Sequence, residues 1–93
     1  RIPAGHVTDA VVTSTDVFPT LLELAGLPAE PAAHVDGRSF ASALTDPARS
    51  LPERAVFWHY PHYSNQRGRP HGAVRRGAWK LVEWFEDGRT ELF

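Results

Sequence analysis

The dipeptide Asp87-Gly88 stands between two β-prone runs, residues 79–85 and 89–93. Asp followed by Gly tolerates the left-handed backbone that a tight hairpin demands, so the two runs are expected to pair antiparallel. Gly77 marks a second turn, between residues 72–76 and 79–85, and a further candidate strand covers residues 54–60. Short runs joined by turn residues leave no room for a crossover helix, so this part of the chain should fold as an antiparallel meander. Along residues 79–85, Trp79, Leu81 and Glu83 fall on one face and Lys80, Val82 and Trp84 on the other. Neither face is cleanly polar, which predicts cover on both sides, one by a helix and the other by something outside this sequence.

The first third reads differently. Residues 7–13 are rich in Val and Thr and suit a strand. Ser14 or Thr15 offers an N-cap hydroxyl for a helix starting near Asp16, whose carboxylate suits the positive end of the dipole. Pro19 falls in the first turn, where its missing N–H matters least. Phe18, Leu21, Leu22 and Ala25 keep the spacing of one buried helical face. Gly26 and then Pro28 supply the stop. Pro28, Pro31 and Asp36-Gly37 make a connector, followed by a short helix over residues 38–44 with Phe40 and Leu44 inward. Asp46-Pro47 ends it. The expected class is α+β: a strand-helix segment, then a small antiparallel sheet of three to four strands. The corresponding divisions are 1–27, a connector with a short helix at 28–52, and a sheet subdomain at 53–93.

Ninety-three residues make one small domain with a thin core. An apolar content of 42% with 23% charged residues is that of a globular chain rather than a disordered one. The formal net charge of −1 gives no overall field toward nucleic acid or an anionic membrane. The chain has no Cys, which excludes disulfides and thiolate zinc sites. No apolar run reaches the roughly 20 residues of a membrane span. The sequence starts at Arg1 and stops at Phe93 inside a strand-like pattern, so it is expected to be a segment of a longer protein.

The most unusual chemistry lies in Val56-Phe57-Trp58-His59-Tyr60-Pro61-His62-Tyr63. Its first half reads as a strand that Pro61 ends. The polar run from Ser64 to Gly72 is a loop, and it gathers Arg67, Arg69 and His71 behind His59 and His62. That set suits an anion, and it holds no nucleophile paired with a base. His59 and His62 stand three apart across a proline with no carboxylate near in sequence, so a metal site is the less favoured reading. A His packed among aromatic rings is the plain alternative for His59. Arg75 and Arg76 face opposite sides of a strand, and pairing with Glu83 or Glu91 is expected there. Trp58, Trp79 and Trp84 are read as core.

The order of these pieces resembles the C-terminal end of the sulfatase family, the arylsulfatase-like hydrolases of the alkaline-phosphatase superfamily. The resemblance rests on residues 14–26, beginning Ser14-Thr15-Asp16-Val17-Phe18-Pro19-Thr20 and ending Ala25-Gly26, on Asp36-Gly37-Arg38-Ser39-Phe40 with a short Leu44 helix, on Val56-Phe57-Trp58-His59-Tyr60, on Ala73-Val74-Arg75-Arg76-Gly77-Ala78-Trp79-Lys80-Leu81, and on Phe85-Glu86-Asp87-Gly88-Arg89-Thr90-Glu91-Leu92-Phe93. It implies a piece of a larger α/β fold that hydrolyses sulfate esters. In that fold residues 1–27 would end the catalytic domain, and residues 53–93 would form a sheet packed beside it. Such enzymes use calcium and a formylglycine made from Cys or Ser in a C/S-x-P-x-R motif. Ser14 and Ser39 lack the Pro and Arg at those offsets, so calcium, formylglycine and every catalytic residue are expected in the N-terminal catalytic domain of the parent. The loop after residue 60 would then wall the substrate cleft, with His59, His62, Arg67 and His71 touching a sulfated small molecule or sugar. The competing reading is a non-catalytic module that binds a partner through its aromatic strand. No nucleic acid or membrane partner is expected, many relatives are exported to the periplasm or beyond, and the segment alone should self-associate.

Overall fold

At Thr13 the chain leaves an extended conformation (φ −131°, ψ 170°) and enters a 3-10 turn, Ser14–Asp16, that runs into helix α1, Val17–Leu24. The turn starts one residue before the expected cap because the Asp16 carboxylate reaches back to the Thr13 N–H at 2.8 Å. The computed structural model describes residues 2–93, which fall into two units, one ending at Pro52 and one running from Glu53 to Phe93.

In the first unit, α1 ends as expected. Gly26 takes the left-handed conformation (φ 68°). Its N–H reaches Glu23 O at 3.0 Å, and the Leu27 N–H reaches Leu22 O at 2.9 Å. That pair of bonds is a Schellman close. The buried face of the helix differs from the expected one. Pro19 and Thr20 are buried, whereas Phe18 and Leu21 are 46% and 59% exposed. The reason is polar satisfaction. The Thr20 hydroxyl donates to Asp16 O at 2.7 Å and accepts the Phe40 N–H at 3.0 Å, while an Asp16 carboxylate oxygen accepts the Arg38 N–H at 2.9 Å. One side of α1 thus satisfies alternate backbone donors of residues 37–40, and the apolar positions turn outward.

The same bonds delay the second helix. Because the N–H groups of Arg38 and Phe40 are held by Asp16 of the 3-10 turn and Thr20 of α1, α2 begins at Ala41 and spans Ala41–Thr45. Ala41 and Ala43 are buried in it, while Phe40 and Leu44 are half-buried. Residues 7–13, expected as a strand, form no ladder with any described residue. Their β-branched composition suits a strand, but a strand exists only through a partner's hydrogen bonds.

The second unit is a four-stranded antiparallel meander in the order β1-β2-β3-β4. The strands are β1, Ala55–Tyr60; β2, His71–Arg76; β3, Trp79–Trp84; and β4, Thr90–Leu92. They match the four expected runs to within a residue or two at each end. Gly77-Ala78 forms a two-residue turn that places Arg76 opposite Trp79 and, counting back, His71 opposite Trp84. The last hairpin closes on residues 85–88, with Gly88 N–H on Trp84 O and Trp84 N–H on Arg89 O, both at 2.9 Å.

Register assigns the faces. Phe57, Val74, Leu81 and Leu92 line up across all four strands on one face. Val56 and Val82 are buried on the other. One face was expected to be covered only by a part of the protein outside this sequence, and here Phe57 is 73% and Leu92 64% exposed. The first face is therefore an open apolar surface.

Candidate functional site

Tyr60, His71 and Trp84 are cross-strand neighbours on β1, β2 and β3. Their rings form a row, with centroids 5.6 Å apart from Tyr60 to His71 and 5.4 Å from His71 to Trp84. The row continues at either end. The His62 ring meets Tyr60 edge-on at 6.1 Å, and the Arg89 guanidinium lies 5.7 Å from the centre of the Trp84 ring. Contacts of this kind strengthen a surface beyond its buried area.

The loop between β1 and β2 is closed by Ser64. Its N–H donates to Gly68 O at 3.0 Å and its hydroxyl accepts the Gly68 N–H at 2.9 Å. Arg67 sits at the tip in a left-handed conformation (φ 64°). Glu86 ties the loop to the β3–β4 turn, accepting the Tyr63 hydroxyl at 2.9 Å and lying 3.6 Å from the Arg69 guanidinium. That hydrogen bond, more than any loss of water, raises the Tyr63 pKa above 10.0. Next to Arg69, the His71 Nδ1 donates to the Arg69 carbonyl at 2.7 Å. The contact fixes the tautomer and leaves Nε2 available to a ligand.

Of the expected site residues, His62 and His71 flank Tyr60, and Arg67 occupies the tip of the loop between β1 and β2. His59 has a different ring partner. Its ring packs on Phe85 at 5.4 Å, and its cross-strand partner is Gly72, whose side a Cβ would fill to within 3.2 Å of the Phe85 ring. By strand alternation that is the Phe57 face. An open cleft of about 720 Å³ is lined by Trp58, His59, Tyr60, Ser64, His71, Arg75 and Lys80 among others, so His59 borders it even though its ring packs on Phe85.

Sequence reasoning missed Trp84, Lys80, Ser64 and Glu86 as site neighbours. The first two were within reach, because counting back from the Gly77-Ala78 turn places position 84 beside 71 and position 80 beside 75. Arg76 pairs with Glu53 at 2.9 Å, and Glu91 takes Arg89 at 2.7 Å, so the expected partners Glu83 and Glu91 are corrected to Glu53.

The sequence and these elements match one described family along their whole length: N-sulphoglucosamine sulphohydrolase, C-terminal, over residues 1–93. The chain belongs to this sulphohydrolase C-terminal family. It is also similar to an N-acetylglucosamine-6-O-sulfatase of Bacteroides thetaiotaomicron, at 26% identity over 89 residues. That match covers 92% of this chain and 16% of the relative, so the chain spans about one-sixth of the relative's length. No helix of the described residues is long and apolar enough to cross a membrane.

Calcium takes six to eight oxygens from a flexible cage. Among the described residues no three His, Asp or Glu side chains converge as such a group. The carboxylates of Asp16, Glu86 and Glu91 already hold hydrogen bonds. One correction to the motif reading is needed. The S-x-P-x-R spacing does occur, at Ser50-Leu51-Pro52-Glu53-Arg54. Ser50 lies in an exposed irregular run, and Glu53 of the same stretch is engaged with Arg76. No step of hydrolysis is assigned to these residues.

Proposed function

We propose that this segment completes a sulfate-ester hydrolase and forms one wall of its substrate cleft. The observation that carries the reading is the row His62, Tyr60, His71 and Trp84 beside the Arg67 loop, at the edge of an open cleft. Ring faces suit the apolar faces of a sugar, and the imidazole and guanidinium donors suit a sulfate oxygen. Family membership and the amino-sugar sulfatase relative support the substrate class, a sulfated amino sugar. In this reading calcium, formylglycine and the nucleophile's activation belong to an N-terminal catalytic domain, and this chain's own residues bind and orient the organic part of the substrate. His62, Arg67 and His71 make the contact, while His59 holds Phe85 in place on the far face.

The test is steady-state kinetics of the full-length sulfatase carrying this segment. Arg67→Ala should raise KM for a sulfated amino sugar several-fold, with kcat little altered, as expected for a lost charge-assisted contact. Unaltered KM in Arg67→Ala and in His62→Ala would contradict the wall. The open face of Phe57, Leu81 and Leu92 favours a second reading, an interaction module that meets a partner through its aromatic strand. A full-length protein inactive on every sulfate ester would favour that module.

A further inference from the structure

Arg75 and Lys80 are direct cross-strand partners on β2 and β3. Like charges placed opposite one another weaken a sheet, so the pairing calls for a compensating anion. Among the described residues no carboxylate pairs with either. Arg75 spends its Nε–H on Gly77 O at 3.2 Å, and the Lys80 ammonium lies 6.0 Å from the Phe93 ring centre. A nearby carboxylate on that face, Glu91, opposite Val82 on the strand that carries Lys80, is taken by Arg89 at 2.7 Å and by the Trp84 indole N–H at 3.2 Å. Both cations are exposed, and both line the same cleft that Trp58, Tyr60 and His71 line. The cleft thus has an aromatic and imidazole end and a doubly cationic end. His71 and Arg75 are four positions apart along β2, about 13 Å of strand.

We infer that Arg75 and Lys80 form a second anion subsite, which receives a further sulfate of an oligosaccharide whose first sulfated sugar lies against Tyr60 and His71. The inference rests on the proposed cleft wall and extends it from one sulfated sugar to a chain with at least two anionic groups. Two cations at the end of an aromatic floor select for spacing between charges as well as for charge itself.

The test uses the full-length sulfatase and two amino-sugar disaccharides, one with a single sulfonate and one with two. Sulfonate stands in for the sulfate ester so that nothing is hydrolysed. Calorimetry should show the second sulfonate tightening Kd about tenfold, the size of one charge-assisted contact. That gain should vanish in Arg75→Gln and in Lys80→Gln and return in Lys80→Arg, with Tm held or raised in the Gln variants and held in Lys80→Arg. No gain in the wild type, or a gain that survives both Gln substitutions, would overturn the subsite. A fall in Tm on removing either charge would also overturn it, since the pair would then dock against the rest of the parent polypeptide. Turnover of the corresponding sulfate ester is read separately. An active enzyme without the gain sinks the subsite alone, and the gain without turnover sinks the sulfatase reading alone.

Discussion

The carboxylate of Asp16 accepts the Arg38 N–H at 2.9 Å although 22 residues separate the two. With its other oxygen it accepts the Thr13 N–H at 2.8 Å, so one fully buried side chain fixes both the start of the helical turn and the path of the connector. Asp16→Ala would leave two backbone donors without these acceptors. It should destabilise the chain by about 3 kcal/mol, the cost of hydrogen bonds to a buried charged group. Chemical denaturation of the two proteins gives the difference, and an unchanged midpoint would contradict the clamp.

Gly37 lies where the connector crosses the helix start. A Cβ there would run into the Thr15 carbonyl oxygen and come within 3.2 Å of the Pro19 ring. Backbone cannot yield as a side-chain tip does, so Gly37→Ala should cost about 2 kcal/mol. Equal stability of variant and wild type would show that the two segments do not approach so closely.

Tyr63 donates its hydroxyl to Glu86, and that bond raises its pKa in the folded chain above 10.0. The unfolded chain releases the proton first. The bond's contribution is therefore complete below that value and is lost as pH rises through the folded pKa. As pH rises through and above the ordinary tyrosine range, the wild type should lose more stability than Tyr63→Phe, whose ring has no proton to lose. Parallel pH profiles of the two proteins would remove Glu86 as the anchor of the loop.

On the open sheet face Phe57, Leu81 and Leu92 align across three strands. As an isolated 93-residue chain the protein should associate with itself at high concentration, and Leu81→Lys should return it toward monomer. A wild type that sediments as a monomer throughout would mean that the exposed residues do not make a sticky surface.

How much of this was legible depends on the range of the interaction. The meander was readable because its signals are local. Gly77 and Asp87-Gly88 are turn residues, and the runs between them have strand composition. The Gly26 helix stop was readable for the same reason. The outward turn of Phe18 and Leu21 was not, because it follows from Asp16 and Thr20 satisfying Arg38 and Phe40, a bond set that helical spacing does not reveal. Residues 7–13 show the converse, with strand composition and no strand. At the site, His62, Arg67 and His71 were chosen from their loop, yet the surface they join depends on register. Strand alternation alone would have set His59 apart from Tyr60, had the loop not been read as one cluster. Register counted from Gly77 would likewise have found Trp84 and the facing pair Arg75 and Lys80.

The central claim is that the Tyr60 face of the sheet, not the Phe57 face, meets the substrate. His59 and His71 lie on opposite faces and test it most directly, through kcat/KM of the full-length sulfatase on a sulfated amino sugar. His71→Ala should lower it about tenfold or more, with Tm preserved, while His59→Ala should leave KM in place and show itself in Tm through the lost Phe85 contact. The reverse pattern, a kinetic loss in His59→Ala and none in His71→Ala, would contradict the assignment.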